Sequence, residues 1–259
     1  MKKLLAFLLS FSMFLAFSPA LALAKKGEEP TKVKYYAPAS EDAVEDDVYD
    51  VEGRPELKVK VHVYKQDAKR QKPGSGSNQP ALQCNLADTD SSAVVPAAGW
   101  HLSTAAPVTY RLNVSSVPST VGGSNLVTIA TNSYGQWTGA VLGKVQVARG
   151  TNTTVNRARY DGQNVIAWGR TSNTALAVTY IWYYTATGLV AETDTIFNSS
   201  VPWAWSNPAT WVTATGTTCA YKNVYDAQGI LTHELGHWMG LKDIYTSDFV
   251  DNTMYGYGS

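Results

Sequence analysis

The sequence predicts an α+β domain, because strand patterns and two helical patterns are interleaved along the chain without a repeating unit. The strand patterns are short runs that alternate apolar and polar residues or are rich in β-branched and aromatic residues, at 57–64, 107–114, 164–169, 176–184 and 188–198. The helical patterns have apolar residues near a spacing of 3.6 and cover 124–140 and 226–241.

The first 24 residues, MKKLLAFLLSFSMFLAFSPALALA, are typical of a secretory signal peptide. Two lysines precede a short apolar run, and Ala22-Leu23-Ala24 is a small-x-small cleavage signal. We expect cleavage after Ala24 and secretion of a monomer that is not bound to a membrane. The alternative is an uncleaved anchor, for which the apolar run is short.

The charge balance argues against a nucleic-acid partner. The chain has 21 basic and 21 acidic residues, and loss of Lys2 and Lys3 with the signal peptide leaves 19 against 21. A nucleic-acid-binding protein normally has a basic excess or a basic stripe, and neither is evident.

Residues 25–83 are predicted to be a pro-segment or an N-terminal extension with a linker, ahead of the main domain at 84–259. SEDAVEDDVYDVEGRPE is an acidic run with few core residues, and such runs stay solvated. After the strand pattern at 57–64, KQDAKRQKPGSGSNQPA is basic and then rich in Pro, Gly and Ser, which is typical of a linker.

The two cysteines, Cys84 and Cys219, can form one disulfide in a secreted chain. The alternatives are two buried thiols, or a Cys84 thiolate that occupies a metal site from the pro-segment. LQCNLAD does not resemble the cysteine-switch signature, so the last alternative is the weakest.

The stretch LTHELGHWMGLKDIY, at 231–245, carries the metal-ligand pattern H-E-x-x-H. Positions i and i+4 share one face of a helix, so His233 and His237 point the same way and can bind one zinc ion at about 2.0–2.1 Å. Glu234 lies beside the first ligand, where its carboxylate can take a proton from a water on the metal.

A catalytic zinc site needs a third protein ligand, and Asp243 is the best candidate. Gly240 can adopt positive φ and turn the chain sharply at the end of the helix, so that Asp243 returns toward the metal. Asp248 and Asp251 are the alternatives, since no glutamate follows Glu234.

HELGHWMGLKD resembles the metzincin signature H-E-x-x-H-x-x-G-x-x-H, with the aspartate of the snapalysin-type variant in the last place. NTMYGYG, at 252–258, resembles the metzincin Met-turn, and the resemblance places Met254 beneath the zinc as an apolar floor. VTYRLN, the helix containing Trp137 and WYYTATGLVAETDTIFN look like the matching parts of a matrixin-like domain, so the resemblance covers residues 97–259.

The resemblance implies a twisted mixed sheet with an edge strand over the cleft, an upstream helix, an active-site helix and a Met-turn. It places the edge strand at 192–198, where backbone pairing would hold an extended peptide or protein substrate. It further implies a zinc endopeptidase in which Glu234 acts as base and then as acid. Tyr255 and Tyr257 are either packing residues or oxyanion donors.

Three points stay open at this stage. The first is whether carboxylates in the loops bind calcium. The chain ends soon after the Met-turn, where family members continue into a helix, so either the sequence is truncated or the domain closes differently. The alternative functions are a catalytically inactive secreted binding protein that keeps the fold, and a zinc amidase acting on other amides.

Overall fold

The computed structural model describes residues 45–66, 97–140, 144–172, 174–205, 224–249 and 252–258, which form a mixed β-sheet with two α-helices. The strands are β1 (Asp47–Asp50), β2 (Leu57–Gln66), β3 (Val108–Leu112), β4 (Val147–Arg149), β5 (Asn164–Gly169), β6 (Ala175–Tyr184), β7 (Val190–Asn198), β8 (Trp203–Ala204), β9 (Tyr225–Asp226) and β10 (Tyr257–Gly258). The helices are α1 (Asn125–Ala140) and α2 (Ala227–Trp238). Short 3₁₀ turns lie at Val114–Ser116 and Ser247–Phe249.

The main sheet has the order β1-β2-β6-β7-β5-β3-β4, with β10 added to β2. The strands β4, β3, β5 and β7 run parallel to one another, whereas β6 is antiparallel to β7 and to β2. The strands β8 and β9 form a separate parallel pair that leads into α2.

The central strands are apolar along most of their length because both faces of the sheet are covered. In β5, Ile166 and Trp168 face the helices, while Val165 and Ala167 join the core on the opposite face. In β2, Val59, Val61 and Val63 face that second core. The period of two along a strand therefore turns His62 and Tyr64 toward the helices.

Hydrogen bonds from tryptophan side chains join α2 to the sheet and to α1. The Trp238 indole donates to Thr195 Oγ1 of β7 over 3.0 Å, and Thr195 is paired with Thr179 Oγ1 of β6 at 2.7 Å. The Trp137 indole of α1 donates to the Thr232 carbonyl over 2.7 Å. The α2 helix is thus fixed against the middle of the sheet.

The α+β class and both predicted helices are confirmed, with α1 starting one residue later and α2 ending three residues earlier than the patterns indicated. The strand predicted at 164–169 has the observed bounds of β5. The predicted signal peptide at 1–24, Cys84, Cys219 and Asp251 lie outside the described residues. Among the described residues, no helix is both long and apolar enough to cross a membrane.

One prediction about strands is incomplete and another is wrong. The described part of the acidic run has no buried residue, as expected of a solvated run, but Asp47–Asp50 also pairs antiparallel with β2, and Lys58–Asp50 and Lys60–Asp46 ion pairs join the two segments. Residues 192–198 were expected at the sheet edge, yet β7 lies inside the sheet between β6 and β5.

The segment 45–66 belongs to the same sheet as the strands that follow residue 97, since β2 pairs along the length of β6. Whether residues 25–83 act as a pro-segment or as an extension stays a prediction, because either can contribute strands to a sheet.

Candidate metal centre

The α2 helix carries the two predicted ligand histidines on a buried face. Its first turn is capped by Asp226, whose carboxylate accepts the Gly229 N–H over 2.6 Å. This cap satisfies one of the free N–H groups at the start of a helix and fixes where the helix begins. His233 and His237 are 2% and 1% exposed, and their ring centroids lie 4.9 Å apart.

Backbone carbonyls set the protonation of both rings. His233 Nδ1 lies 2.8 Å from the Thr253 carbonyl oxygen, and His237 Nδ1 lies 2.9 Å from the Leu241 carbonyl oxygen. A carbonyl only accepts, so each Nδ1 carries the proton and donates it. In the neutral ring, each Nε2 then presents a lone pair, which is how metal-binding histidines are commonly held.

Asp243 is brought back to these nitrogens by the turn at Gly240, as the sequence predicted. Gly240 has φ +91°, which disfavours any residue with a side chain. A Cβ at this position would also lie only 2.5 Å from the Trp100 carbonyl oxygen, so it would clash. Asp243 Oδ1 lies 3.2 Å from His233 Nε2 and 3.4 Å from His237 Nε2. Of the alternative ligands, Asp248 is exposed on a 3₁₀ turn.

His233 Nε2, His237 Nε2 and Asp243 Oδ1 are suited to bind a cation, because without one a carboxylate oxygen faces two nitrogen lone pairs. His233 Nε2 and Asp243 Oδ1 are buried and have no hydrogen-bond partner in the described structure. A carboxylate that faces two lone pairs is stable only if both rings are protonated or a metal ion lies between the three groups. Burial raises the pKa of Asp243, but the rings of His233, His237 and His62 outweigh it and hold that pKa well below its usual range.

Glu234 lies inside the protein rather than at its surface. Its side chain is fully buried, and neither carboxylate oxygen has a hydrogen-bond partner among the described residues. Burial raises the pKa of Glu234 to about 7, and the nearby His233 ring lowers it in part. The carboxyl group can therefore change its protonation state near neutral pH.

The structure places Met254, the predicted Met-turn residue, against the helix that carries the two histidines. Its side chain is 1% exposed and lies against Gly236, between the two histidines in sequence, where an added Cβ would overlap the Met254 sulfur. The turn is joined to the residue that follows the third predicted ligand, because the Ile244 N–H donates to the Met254 carbonyl over 2.8 Å.

The two tyrosines predicted as packing residues or oxyanion donors follow Met254. Tyr257 is in β10 beside β2, 39% exposed, and its ring contacts those of Tyr245 and Tyr255. Their role as oxyanion donors stays a prediction. Tyr245, which sequence reasoning missed, donates its hydroxyl proton to Asp243 Oδ2 over 3.2 Å.

Two further residues at the centre come from β2, and sequence reasoning missed both. The His62 ring stacks on His237 with centroids 3.7 Å apart and planes at 8°, and the Tyr64 ring lies 4.1 Å from that of His233. His62, His237 and Asp243 each offer one ligand atom, and these atoms lie within 4.8 Å of one another. Burial, followed by the neighbouring His237 ring, holds the pKa of His62 well below its usual value.

A cavity of about 380 Å³ opens beside the centre and is lined by both charged and aromatic side chains, including Lys60, His62, Trp100, Lys242 and Asp243. Glu234 and His233 are not among its lining residues. The cavity therefore reaches the Asp243 side of the centre, while Glu234 is covered.

No protein-family model matches the sequence, and no curated protein matches it.

Proposed function

We propose that the protein is a secreted zinc-dependent endopeptidase with a metzincin-like, matrixin-related catalytic domain. The observation that carries the proposal is the convergence of His233 Nε2, His237 Nε2 and Asp243 Oδ1 at 3.2–3.4 Å, with both Nδ1 atoms committed to backbone carbonyls. Two imidazoles and one carboxylate are the ligand number and type of a catalytic zinc site with an open position.

Glu234 is the proposed base. It belongs to the same helical turn as the two histidines, and burial raises its pKa to about 7. Zinc, when bound, polarises a carbonyl and lowers the pKa of water to about 7. Glu234 would take one proton from the attacking water and pass it to the leaving nitrogen. The C–N bond breaks, the carbonyl carbon gains the hydroxyl group, and Glu234 ends as it began.

The surroundings keep the ligands in place. The Trp100 indole donates to the His237 carbonyl over 2.8 Å, and the Ala98 N–H donates to the Gly240 carbonyl over 2.8 Å. These bonds join the chain before β3 to the turn between His237 and Asp243. Rotation of either ring is opposed, because each Nδ1 would lose its carbonyl, so the ligand atoms stay aimed at one point.

The test is cleavage of unfolded casein by the chain lacking residues 1–24, with and without a zinc chelator, beside Glu234→Gln. We expect one zinc per chain in both proteins and loss of cleavage in the variant and with chelator. A Glu234→Gln protein that cleaves at the wild-type rate would refute the assignment of the base.

A catalytically inactive binding protein with the same fold is the second candidate. It is favoured by one observation, the full burial of Glu234 behind a centre that β2 already contacts. This candidate predicts bound zinc with no cleavage, even when β2 no longer contacts the centre.

A further inference from the structure

Two buried threonine hydroxyls lie on the face of the sheet that packs against α2. Thr179 of β6 and Thr195 of β7 are directly opposite each other in register, and their Oγ1 atoms lie 2.7 Å apart. Thr195 is also opposite Ile166 of β5, which belongs to the core on the helix side, and opposite residues of neighbouring strands share a face. Both threonine side chains are completely buried, so their hydroxyl protons need acceptors inside the protein.

The α2 helix places Glu234 and Trp238 over this pair of hydroxyls. The two residues are four apart, so they share one face of the helix. The Trp238 indole N–H donates to Thr195 Oγ1 over 3.0 Å, which sets the end of the helix over β7. The next hydroxyl, that of Thr179, therefore lies toward Glu234.

The Thr179 hydroxyl acts on the Glu234 carboxylate without forming a full hydrogen bond to it. Burial raises the pKa of Glu234 to about 7, and the His233 ring and then the Thr179 hydroxyl lower it in part. Neither carboxylate oxygen is within hydrogen-bond distance of a partner in the described part of the chain. Hydrogen bonds of catalytic groups are often long in the absence of substrate and shorten in the complex.

The direction of the protons follows from the donors and acceptors of these groups. An indole nitrogen only donates, and each hydroxyl has a single proton to give. If Thr179 donated to Thr195, the Thr195 proton would have no further acceptor among the described hydrogen bonds. If Thr195 donates to Thr179, the Thr179 proton is free to point at Glu234. The second arrangement is the one that uses every proton.

We propose that Thr179 is a positioning residue for Glu234, and that its hydroxyl is the last donor in a chain that runs from the Trp238 indole through Thr195 to the Glu234 carboxylate. This inference rests on the proposed function for what Glu234 does, whereas the chain of hydroxyls is testable without catalysis. A donor on the sheet side holds one carboxylate oxygen and leaves the other free to take a proton. Donors in series also polarise one another, so the whole chain responds to the charge on Glu234.

The first experiment follows the Trp238 indole N–H by proton–nitrogen NMR in the zinc-loaded chain lacking residues 1–24. Its signal is identified by its loss in Trp238→Phe. Glu234→Gln removes the charge at the far end of the chain and should move this signal, whereas in a Thr179→Val background the same substitution should not move it further. Equal movement in both backgrounds would overturn the inference, because the effect would then pass through the helix. If Thr179→Val does not fold, an unmoved signal in Glu234→Gln alone overturns it.

The second experiment measures kcat and KM for casein in variants that separate the hydroxyl from the packing. Thr179→Val removes the hydroxyl and keeps the branched shape, while Thr179→Ser keeps the hydroxyl. Thr193→Val is the matched control, because Thr193 is another completely buried threonine of β7 and its hydroxyl lies 3.4 Å from Asn164 Oδ1. Thr179→Val should lower kcat about 10–100-fold, since a catalytic group misplaced by about 1 Å can cost a hundredfold. Its KM and bound zinc should be unchanged, Thr179→Ser should keep most of kcat, and Thr193→Val should match wild type.

The outcomes separate this inference from the proposed peptidase. Wild-type kcat in folded, zinc-loaded Thr179→Val, beside an inactive Glu234→Gln, would leave the peptidase and overturn the role of Thr179. An equal loss of kcat in Thr179→Ser and Thr179→Val would also overturn it, because the hydroxyl would not be the group that matters. Wild type that leaves casein intact would refute the peptidase, and the indole signal would then decide the chain of hydroxyls by itself.

Discussion

The contact between Met254 and the helix that carries the histidines can be tested by adding a single methyl group. Gly236 lies in the interior of α2, where an alanine Cβ would overlap Met254 Sδ and lie 3.0 Å from Met254 Cε and from Trp137 Cζ2. Gly135, in the exposed face of α1, has no heavy atom within 4 Å of the same added Cβ. The two substitutions are chemically identical and differ only in what the methyl group meets.

The expected magnitudes follow from two opposing effects. Replacing a helical glycine by alanine stabilises the helix by up to about 1 kcal/mol, and Gly135→Ala should show this gain in full. Overpacking a buried site costs typically about 1–3 kcal/mol, so Gly236→Ala should be between neutral and about 2 kcal/mol less stable than wild type. The two variants should differ by about 1–3 kcal/mol, or roughly 2–12 °C in Tm for a domain of this size.

The assay is thermal unfolding in a metal chelator, so that metal binding does not contribute to the difference. Zinc titration of the same proteins then reports on the centre, and Gly236→Ala should bind more weakly, because Met254 and the turn beyond Asp243 must move together. If Gly236→Ala were stabilised as much as Gly135→Ala, Met254 would not lie beneath the helix and the structural basis for a Met-turn would be refuted.

Three further predictions concern the metal and a buried acid. Asp243→Asn should weaken zinc binding by about 10–100-fold or more in calorimetry, while Asp248→Asn, an exposed acid nearby, should bind as wild type. Zinc at a hundred times its Kd should raise the free energy of unfolding by about 2.7 kcal/mol, and a chelator should reverse the shift in Tm; no shift would contradict a specific site. Burial raises the pKa of Glu192 to about 7, although the hydrogen bonds that its carboxylate accepts from the N–H groups of Asp161 and Gly162 lower this pKa in part. The folded state therefore favours the protonated form of Glu192. That stability is full below about pH 4.5 and is lost as pH rises through 7, so Tm should fall over this range more steeply in wild type than in Glu192→Gln, and equal slopes would contradict the assignment.

The candidate ligands that the sequence could predict are those whose geometry is local. Two histidines four residues apart on a helix must share a face, and a glycine three residues before an aspartate can return the chain to that face. His233, His237 and Asp243 required nothing beyond these rules. Their convergence in the structure depends on bonds made within the same stretch, such as His237 Nδ1 to the Leu241 carbonyl.

The edge position predicted for residues 192–198 came from the resemblance, and it is wrong because β7 lies between β6 and β5. Asp194 and Glu192 are in fact buried, and their carboxylates accept backbone N–H groups from Arg159, Val165 and Asp161. Backbone donors from a distant loop satisfy these acids, so an interior strand could keep them. A sequence pattern does not show which loop will supply such donors.

His62 illustrates a different limit, which is that strand pairing brings together residues far apart in the chain. The alternation in LKVKVHVY predicted a strand and placed His62 and Tyr64 on one face, but strand pairing is non-local and the pattern could not name β6 as the neighbour. The predicted ligands thus lie within residues 233–243, whereas the two rings that contact them come from a strand far earlier in the chain. The sequence pattern shows that His62 and Tyr64 share a strand face, but only the pairing of β2 with β6 brings that face to the helix that carries the histidines.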